Sequence, residues 1–193
     1  MQLIGLTGRA GTGKDTIADF LVETHGFVKL AFADPIKDGI KAMLGLSGDD
    51  ITNSANKEDK VDWLGCSPRH AMQTLGTDWG RDMIHPNLWL NITARRVHKI
   101  MAMPAMHHIA GIVISDVRFE NEADWVRAHG GQVWHVRRAA CGLAGATATH
   151  ISEQTIPRHA ADRIIANDGS TEQTFELVCE LIDLLERNEG AAA

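Results

Sequence analysis

Cysteine is scarce in this chain. Cys66, Cys141 and Cys179 lie far apart in 193 residues, and no Cys-x-x-Cys occurs. That excludes a disulfide framework and predicts free thiols in a reducing compartment. His107-His108, and Cys66 with His70, lack the paired spacing of a zinc site. No 18-residue apolar run, signal peptide or lipidation motif is present, so the sequence predicts a cytoplasmic protein with no membrane partner. Positive charge is also short. A net charge of −6 and a pI near 5.9 argue against broad nucleic-acid or anionic-membrane binding. Internal repeats are absent. A local basic pocket stays open, because twelve of the nineteen basic residues are arginine, the residue suited to bidentate phosphate recognition.

What is present is organised around residues 3–16, Leu-Ile-Gly-Leu-Thr-Gly-Arg-Ala-Gly-Thr-Gly-Lys-Asp-Thr. An apolar run enters a glycine-rich turn and leaves it in a helical pattern. This is strand, phosphate loop, helix, with Gly8, Gly13 and Lys14 in Walker A register. Gly8, Gly11 and Gly13 let the backbone of Arg9, Ala10 and Thr12 curl around an anion. A helix starting near Lys14 adds partial positive charge, and Lys14 supplies an ammonium for the β- and γ-phosphates of a triphosphate. Asp15 departs from the template, which wants Ser or Thr. A carboxylate about 4 Å from a phosphate oxygen is repelled by roughly 4 kcal/mol at an effective dielectric of ~20. Two roles fit it: a holder of Mg²⁺, or a complement to the helix N-terminus. Thr16 is assigned to the α-phosphate.

Hydrophobic periodicity predicts strand 2–7 and helix 14–25 with Ile17, Phe20, Leu21 and Val22 inward, then strand 27–32. A helix follows from Pro35 on Ile36, Ile40, Met43 and Leu44, then an exposed loop over 45–62. Ser67 and Pro68 start another helix, on which Arg69, Gln73, Gly76 and Gly80 fall near one face. A helix over 86–103 uses Leu88, Ile92, Val97, Ile100 and Met101. Strands at 109–115, 132–137 and 163–166, a helix at 120–129 and a final helix capped by Ser170 with Gln173 complete the pattern. Strand–helix repetition predicts a parallel sheet covered on both faces, with ligands at the carboxyl ends of the strands.

Those ends collect Gly8 to Lys14, Asp34, Asp116, Arg118, Arg137, Arg138 and Asn167. Asp116 can hold Mg²⁺-bound water, or close a turn paired with Arg118. Arg118 can reach a phosphate. Arg137 and Arg138 can clamp a transferring phosphoryl group or form an exposed basic turn. Arg69, Gln73 and Arg81 form a second cluster, read either as a phosphate and base-edge site or as a solvated face. Trp79 can stack on a base or pack in the core.

Assembled, these segments resemble the bacteriophage-type deoxynucleoside monophosphate kinases of the P-loop nucleotide kinase superfamily. The resemblance rests on residues 8–16 with the Gly-Lys-Asp-Thr ending, 32–37 (Phe-Ala-Asp-Pro-Ile-Lys), 68–77 (Pro-Arg-His-Ala-Met-Gln-Thr-Leu-Gly-Thr), Arg81, 116–122 (Asp-Val-Arg-Phe-Glu-Asn-Glu), 150–153 (His-Ile-Ser-Glu) and 167–170 (Asn-Asp-Gly-Ser). It implies an α/β, three-layer P-loop kinase fold, with a five-stranded parallel sheet in a single domain over 1–189. A helical monophosphate-binding insertion spans about 34–103, a lid about 138–158, and 190–193 form a frayed tail. It implies transfer of a phosphoryl group from Mg·ATP to a deoxynucleoside 5′-monophosphate.

By the same resemblance Lys37, Arg69, Gln73 and Arg81 are monophosphate-site candidates, and Asp34, Trp79, His150, Ser152 and Glu153 are counted with them as expected substrate-binding residues. Asp116 and Arg118 line the junction of the two nucleotides, and Asn167 to Ser170, Gly169 included, lie near the adenine. The lid stretch 139–149 lacks the arginines many nucleotide kinases carry there, so that role falls to Arg137, Arg138 or Arg158. Lys14, Asp116, Arg118, Arg137 and Arg138 are the expected catalytic set, and Asp15 and Asp116 the expected Mg²⁺ ligands. The expected partners are small-molecule nucleotides; a homodimer is left open, and the compartment is the host cytoplasm if the gene is viral. Two alternatives remain at this level: a P-loop kinase of dephospho-coenzyme A or phosphomevalonate, or a nucleotide-binding regulatory module that does not turn over.

Overall fold

The computed structural model describes residues 1–53, 56–103, 108–139 and 156–191. The chain divides into two compact units, Met1–Ala31 with Pro104–Ala193, and Phe32–Met103.

The first unit is an α/β sandwich. Its strands are β1 (Gln2–Thr7), β2 (Phe27–Leu30), β3 (Gly111–Ile114), β4 (Gln132–Arg137) and β5 (Arg163–Ala166). They form one parallel sheet in the order β2-β3-β1-β4-β5, with Gln2 opposite Gly111, Ile4 opposite Gln132 and Phe27 opposite Gly111. Helices α1 (Lys14–His25) and α7 (Thr171–Ala191) cover one face, and α6 (Glu120–Ala128) the other.

Strand alternation explains the layering. Ile4 and Leu6 pack with Ile17, Leu21, Val113, Trp134, Val136, Ile165, Val178 and Ile182 in one buried cluster. Gly5 faces the other way, where a Cβ would lie 2.9 Å from Val117 and 3.2 Å from Val126, so α6 sits close over the central strand. Two expectations shift here. Val22 is exposed, because Ile17, Ala18 and Leu21 fill the buried stripe of α1. Strand β2 stops at Leu30, opposite the last residue of β3, since beyond Ile114 there is no strand left to pair with.

The second unit is helical: α2 (Asp34–Leu44), α3 (Gly48–Thr52), α4 (Pro68–Gln73), a π-helix (Thr74–Ile84) and α5 (Leu88–Ala102). Ser67 caps α4 as expected, accepting from His70 N–H at 3.2 Å. The exposed loop expected over 45–62 is corrected. Leu46 and Ile51 are buried with Ile40, and α3 is started by a Ser47–Asp50 capping box. Met43, expected inward, is exposed, and α5 is rotated by one residue from the expected phase. Trp89, Leu90, Thr93 and Val97 are buried while Met101 is exposed.

The cause of that rotation is Trp89. Its indole N–H donates to Gly76 O at 2.6 Å, and its ring lies where a Cβ on Gly80 would stand. The π-helix also breaks the face expected through Arg69, Gln73, Gly76 and Gly80: Gly80 is buried against Trp89, and Gly76 against Ile36 of α2. No helix among the described residues is long and apolar enough to cross a membrane.

Candidate active site

The site in the first unit grows out of β1, the middle strand. Past Thr7 the chain turns through Gly8 (φ 148°), Gly11 (φ 78°) and Gly13 (φ 97°), values L side chains rarely adopt, and enters α1 at Lys14. Gly8 is required twice over, because a Cβ there would strike the Val136 carbonyl. The loop is therefore wedged against the end of β4. Thr12, buried, ties it internally: its hydroxyl donates to Arg9 O at 2.9 Å. Lys14 bridges the rim, donating to Gly8 O at 2.7 Å and Arg9 O at 2.9 Å.

Three other strand ends gather at this loop. Val117 N–H donates to Leu6 O at 3.0 Å, which sets Asp116 and Arg118 beside the exit of β1. Arg118 is held from behind: the buried carboxylate of Glu122 accepts from Arg118 N–H at 2.8 Å and Phe119 N–H at 3.1 Å. Asn167 N–H donates to Arg137 O at 2.8 Å, and its side-chain amide donates to Thr12 O at 2.8 Å. Arg137, the last residue of β4, and Arg138 just after it are exposed. Asp168 accepts from Ala139 N–H at 2.7 Å, and Gly169 packs on Gln173, whose side chain closes the cap with Ser170.

Asp15 stands on the exposed side of α1 with 80% of its side chain accessible, and Lys29 of β2 reaches both Asp15 and Asp19 at 2.9 Å. Burial lowers the Lys29 pKa, but the two carboxylates outweigh it and raise the value above the ordinary 10.5. Thr16 is exposed.

A second polar cluster lies behind the sheet end. Asp162, its side chain 1% exposed, accepts from Arg127 through both carboxylate oxygens at 3.2 and 2.8 Å, from His159 N–H at 2.8 Å, and faces His135 Nε2 at 3.1 Å. Burial would raise the Asp162 pKa, but these partners overcome it and hold it at about 2. Burial pushes His135 below 6.5, with Asp162 pulling the other way, so His135 is neutral. Glu120, Asp124 and His159 could bring oxygen and nitrogen ligands within 4.8 Å of one another, but Arg127 already fills the role of cation there, at 3.3 Å from Glu120 and 2.9 Å from Asp124.

The second unit carries the other expected residues. Arg69, mostly buried, pairs with Glu58, and its backbone N–H donates to Lys57 O at 2.9 Å. Gln73 ends α4, half-buried. Arg81 donates to Pro86 O at 3.1 Å, and Trp79 is 44% exposed, its ring 6.4 Å from that of Trp89. Asp34 and Lys37 pair at 3.7 Å on the first turn of α2. His150, Ser152 and Glu153 lie outside the described residues.

Sequence reasoning missed two groups here. Lys29 is one polar residue in an apolar strand, and nothing local says it faces Asp15. Glu122 completes an N-terminal cap three residues after Phe119, where no Ser or Thr flags a box. Asn167 was placed near a base, and its amide is found on the loop.

Comparison with known proteins identifies the family of the chain. The family model described as deoxynucleotide monophosphate kinase matches residues 46–178. The chain is 35% identical over 192 residues to a protein of Acanthamoeba polyphaga mimivirus that bears the same family name, with 95% of this chain and 97% of that protein covered. It is 30% identical over 256 aligned positions to the deoxynucleotide monophosphate kinase of Escherichia phage RB69, covering 94% and 100%. Against that of Enterobacteria phage T4 it is 25% identical over 252, covering 96% and 100%.

Proposed function

Because the chain belongs to the deoxynucleotide monophosphate kinase family, we propose that it transfers the terminal phosphoryl group of ATP to deoxynucleoside 5′-monophosphates, giving the diphosphates. It is accordingly a phosphotransferase with a phosphate acceptor. The observation that carries the reading is the loop of residues 8–14: three glycines at positive φ, a helix N-terminus and an ammonium drawn over the rim. That assembly suits a polyphosphate. Lys14 gives its protons to two neutral carbonyls in this structure. A doubly charged phosphate is the stronger partner, at roughly 4 kcal/mol per charge pair.

The chain's own groups divide the work. The loop N–H groups and Lys14 hold the donor's β- and γ-phosphates. Arg118, its backbone fixed by Glu122, with Arg137 and Arg138, neutralises charge on the phosphoryl group in flight. The acceptor oxygen is a phosphate oxygen, already nucleophilic at neutral pH, so no general base is required. Catalysis is in-line positioning and charge neutralisation.

In the same reading the helical unit is the monophosphate-binding insertion, and Asp34, Lys37, Arg69, Gln73, Trp79 and Arg81 receive the acceptor. Arg69 then shares its guanidinium between Glu58 and the phosphate, and Trp79 offers an exposed ring face to the base. Residues 138–158, with His150, Ser152 and Glu153, serve as the lid.

Mg²⁺ fits the donor set. Asp15 and Asp116 supply hard carboxylate oxygens, and the Asp15 side chain is open to solvent. Held by these carboxylates, Mg²⁺ would supply positive charge that screens the donor's phosphates. Lys29 keeps Asp15 paired without it, and so sets a competing cation beside the metal position.

A coupled ADP-release assay over a panel of deoxynucleotides, ribonucleotides, dephospho-coenzyme A and phosphomevalonate tests the proposal. ADP release is expected to require a deoxynucleoside monophosphate. Release that follows one of the other acceptors, or ATP binding with no acceptor-dependent turnover, refutes it.

A further inference from the structure

Asn167 does not sit as a base contact would. Its side-chain amide is committed at both ends: Nδ2–H donates to Thr12 O at 2.8 Å, and Oδ1 accepts from the Thr174 hydroxyl of α7 at 2.8 Å. Its backbone N–H is committed too, donating to Arg137 O at 2.8 Å. The amide lies so close to Gly13 that a Cβ on that residue would collide with Nδ2. Asn167 is thus fixed to β4 and α7 on one side and grips the phosphate loop on the other.

The peptide plane gives this grip a consequence. Thr12 C=O and Gly13 N–H belong to one trans peptide and point in opposite directions. Asn167 holds the carbonyl outward, toward β5 and α7. The Gly13 N–H is thereby turned the other way, to the inner side of the curl where an anion is held. Without the clamp, the Thr12–Gly13 plane is free to rotate about its two flanking bonds. Glycine at position 13 makes that rotation easy on one side. A carbonyl oxygen turned inward would then face the phosphate in place of a donor.

We propose that Asn167 is a positioning residue for the phosphate loop: through Thr12 it aims the Gly13 N–H at the donor nucleotide's phosphates, and Thr174 sets the orientation of its amide. The inference rests on the proposed function for the identity of the anion. It moves Asn167 from the adenine to the polyphosphate.

The test separates polyphosphate from base. Calorimetry measures binding of ATP and of inorganic tripolyphosphate to the wild-type chain and to Asn167→Ala, Thr174→Val and Thr174→Ser. Asn167→Ala is expected to weaken both ligands by the same factor, about tenfold for one lost hydrogen bond and a misaimed donor. Thr174→Val is expected to weaken both by a few-fold, and Thr174→Ser, which restores the hydroxyl, to bind as wild type does. Weakening of ATP with tripolyphosphate unchanged would make Asn167 a base contact and overturn the proposal. Unchanged binding of both ligands in Asn167→Ala overturns it as well. Should Asn167→Ala not fold, the Thr174 pair carries the test, since it leaves Asn167 in place: equal binding in the Val and Ser variants then refutes the clamp. A wild-type chain that binds neither ligand refutes the proposed function instead, so the two failures are distinct.

Discussion

Asp162→Asn tests the buried cluster behind the sheet end. The wild-type carboxyl titrates at about 2, against 3.8 for an unperturbed group. The folded value is the depressed one, so its contribution is fully present above pH 3.8 and is lost as pH falls toward 2. The difference corresponds to about 2 kcal/mol at neutral pH, with about half of it gone by pH 3. The asparagine removes the charge and leaves Arg127 with Glu120, Asp124 and the Pro157 carbonyl. Removing one partner of a buried pair costs about 3 kcal/mol when other carboxylates remain nearby. Urea unfolding of both chains at pH 7, 4 and 3, with hydrogen exchange read at the β4 and β5 amides, measures this. Carboxylates outside the Arg127 cluster titrate alike in both chains and cancel in the difference. Asp162→Asn is expected to be less stable by about 3 kcal/mol at pH 7, with the gap narrowing by about 1 kcal/mol at pH 3. A gap that stays constant with pH would refute the assignment of the low pKa to Asp162.

Three more outcomes are expected. Lys14→Ala and Arg118→Ala each lose at least tenfold in turnover with melting temperature unchanged; near-normal turnover in either removes that residue from the site. Asp15→Asn weakens Mg·ATP more than metal-free ATP in equilibrium binding, whereas equal weakening of the two assigns Asp15 to the helix N-terminus alone. Gly80→Ala drives a methyl into the Trp89 indole and destabilises the helical unit by about 1–3 kcal/mol in chemical denaturation. An unchanged midpoint would contradict the contact.

The parts of the fold that could be read from the sequence are those governed by neighbours along the chain. Apolar runs gave β1 and β4 to the residue, and glycines at 13 and 26 bound α1 on both sides. The Ser67 and Ser170 caps were visible because the capping oxygen and its partner are three residues apart. What escaped depends on residues distant in sequence. Trp89 rotates α5 by one position because of Gly80, and the π-helix that holds Gly80 leaves no mark in a 3.6-residue period. Leu46 and Ile51 sit in a polar stretch and are buried only because Ile40 and Leu75 lie within the same helical unit. At the site, Gly8 to Lys14 were legible as a motif. Lys29 against Asp15 and Asn167 against Thr12 were not, since the first joins β2 to α1 and the second joins the turn after β5 to the phosphate loop.

The pairing of β2 with β3 has a consequence for how the protein folds. Phe27 lies opposite Gly111, so this parallel ladder closes a loop of roughly eighty residues that contains the entire helical unit. Closure entropy grows only with the logarithm of length. Compared with a crossover of about twelve residues, the excursion costs about 1.7 kcal/mol more. The helical unit can therefore lengthen, shrink or be exchanged with little effect on the equilibrium stability of the sheet. The burden falls on kinetics, because contacts this distant in sequence form late.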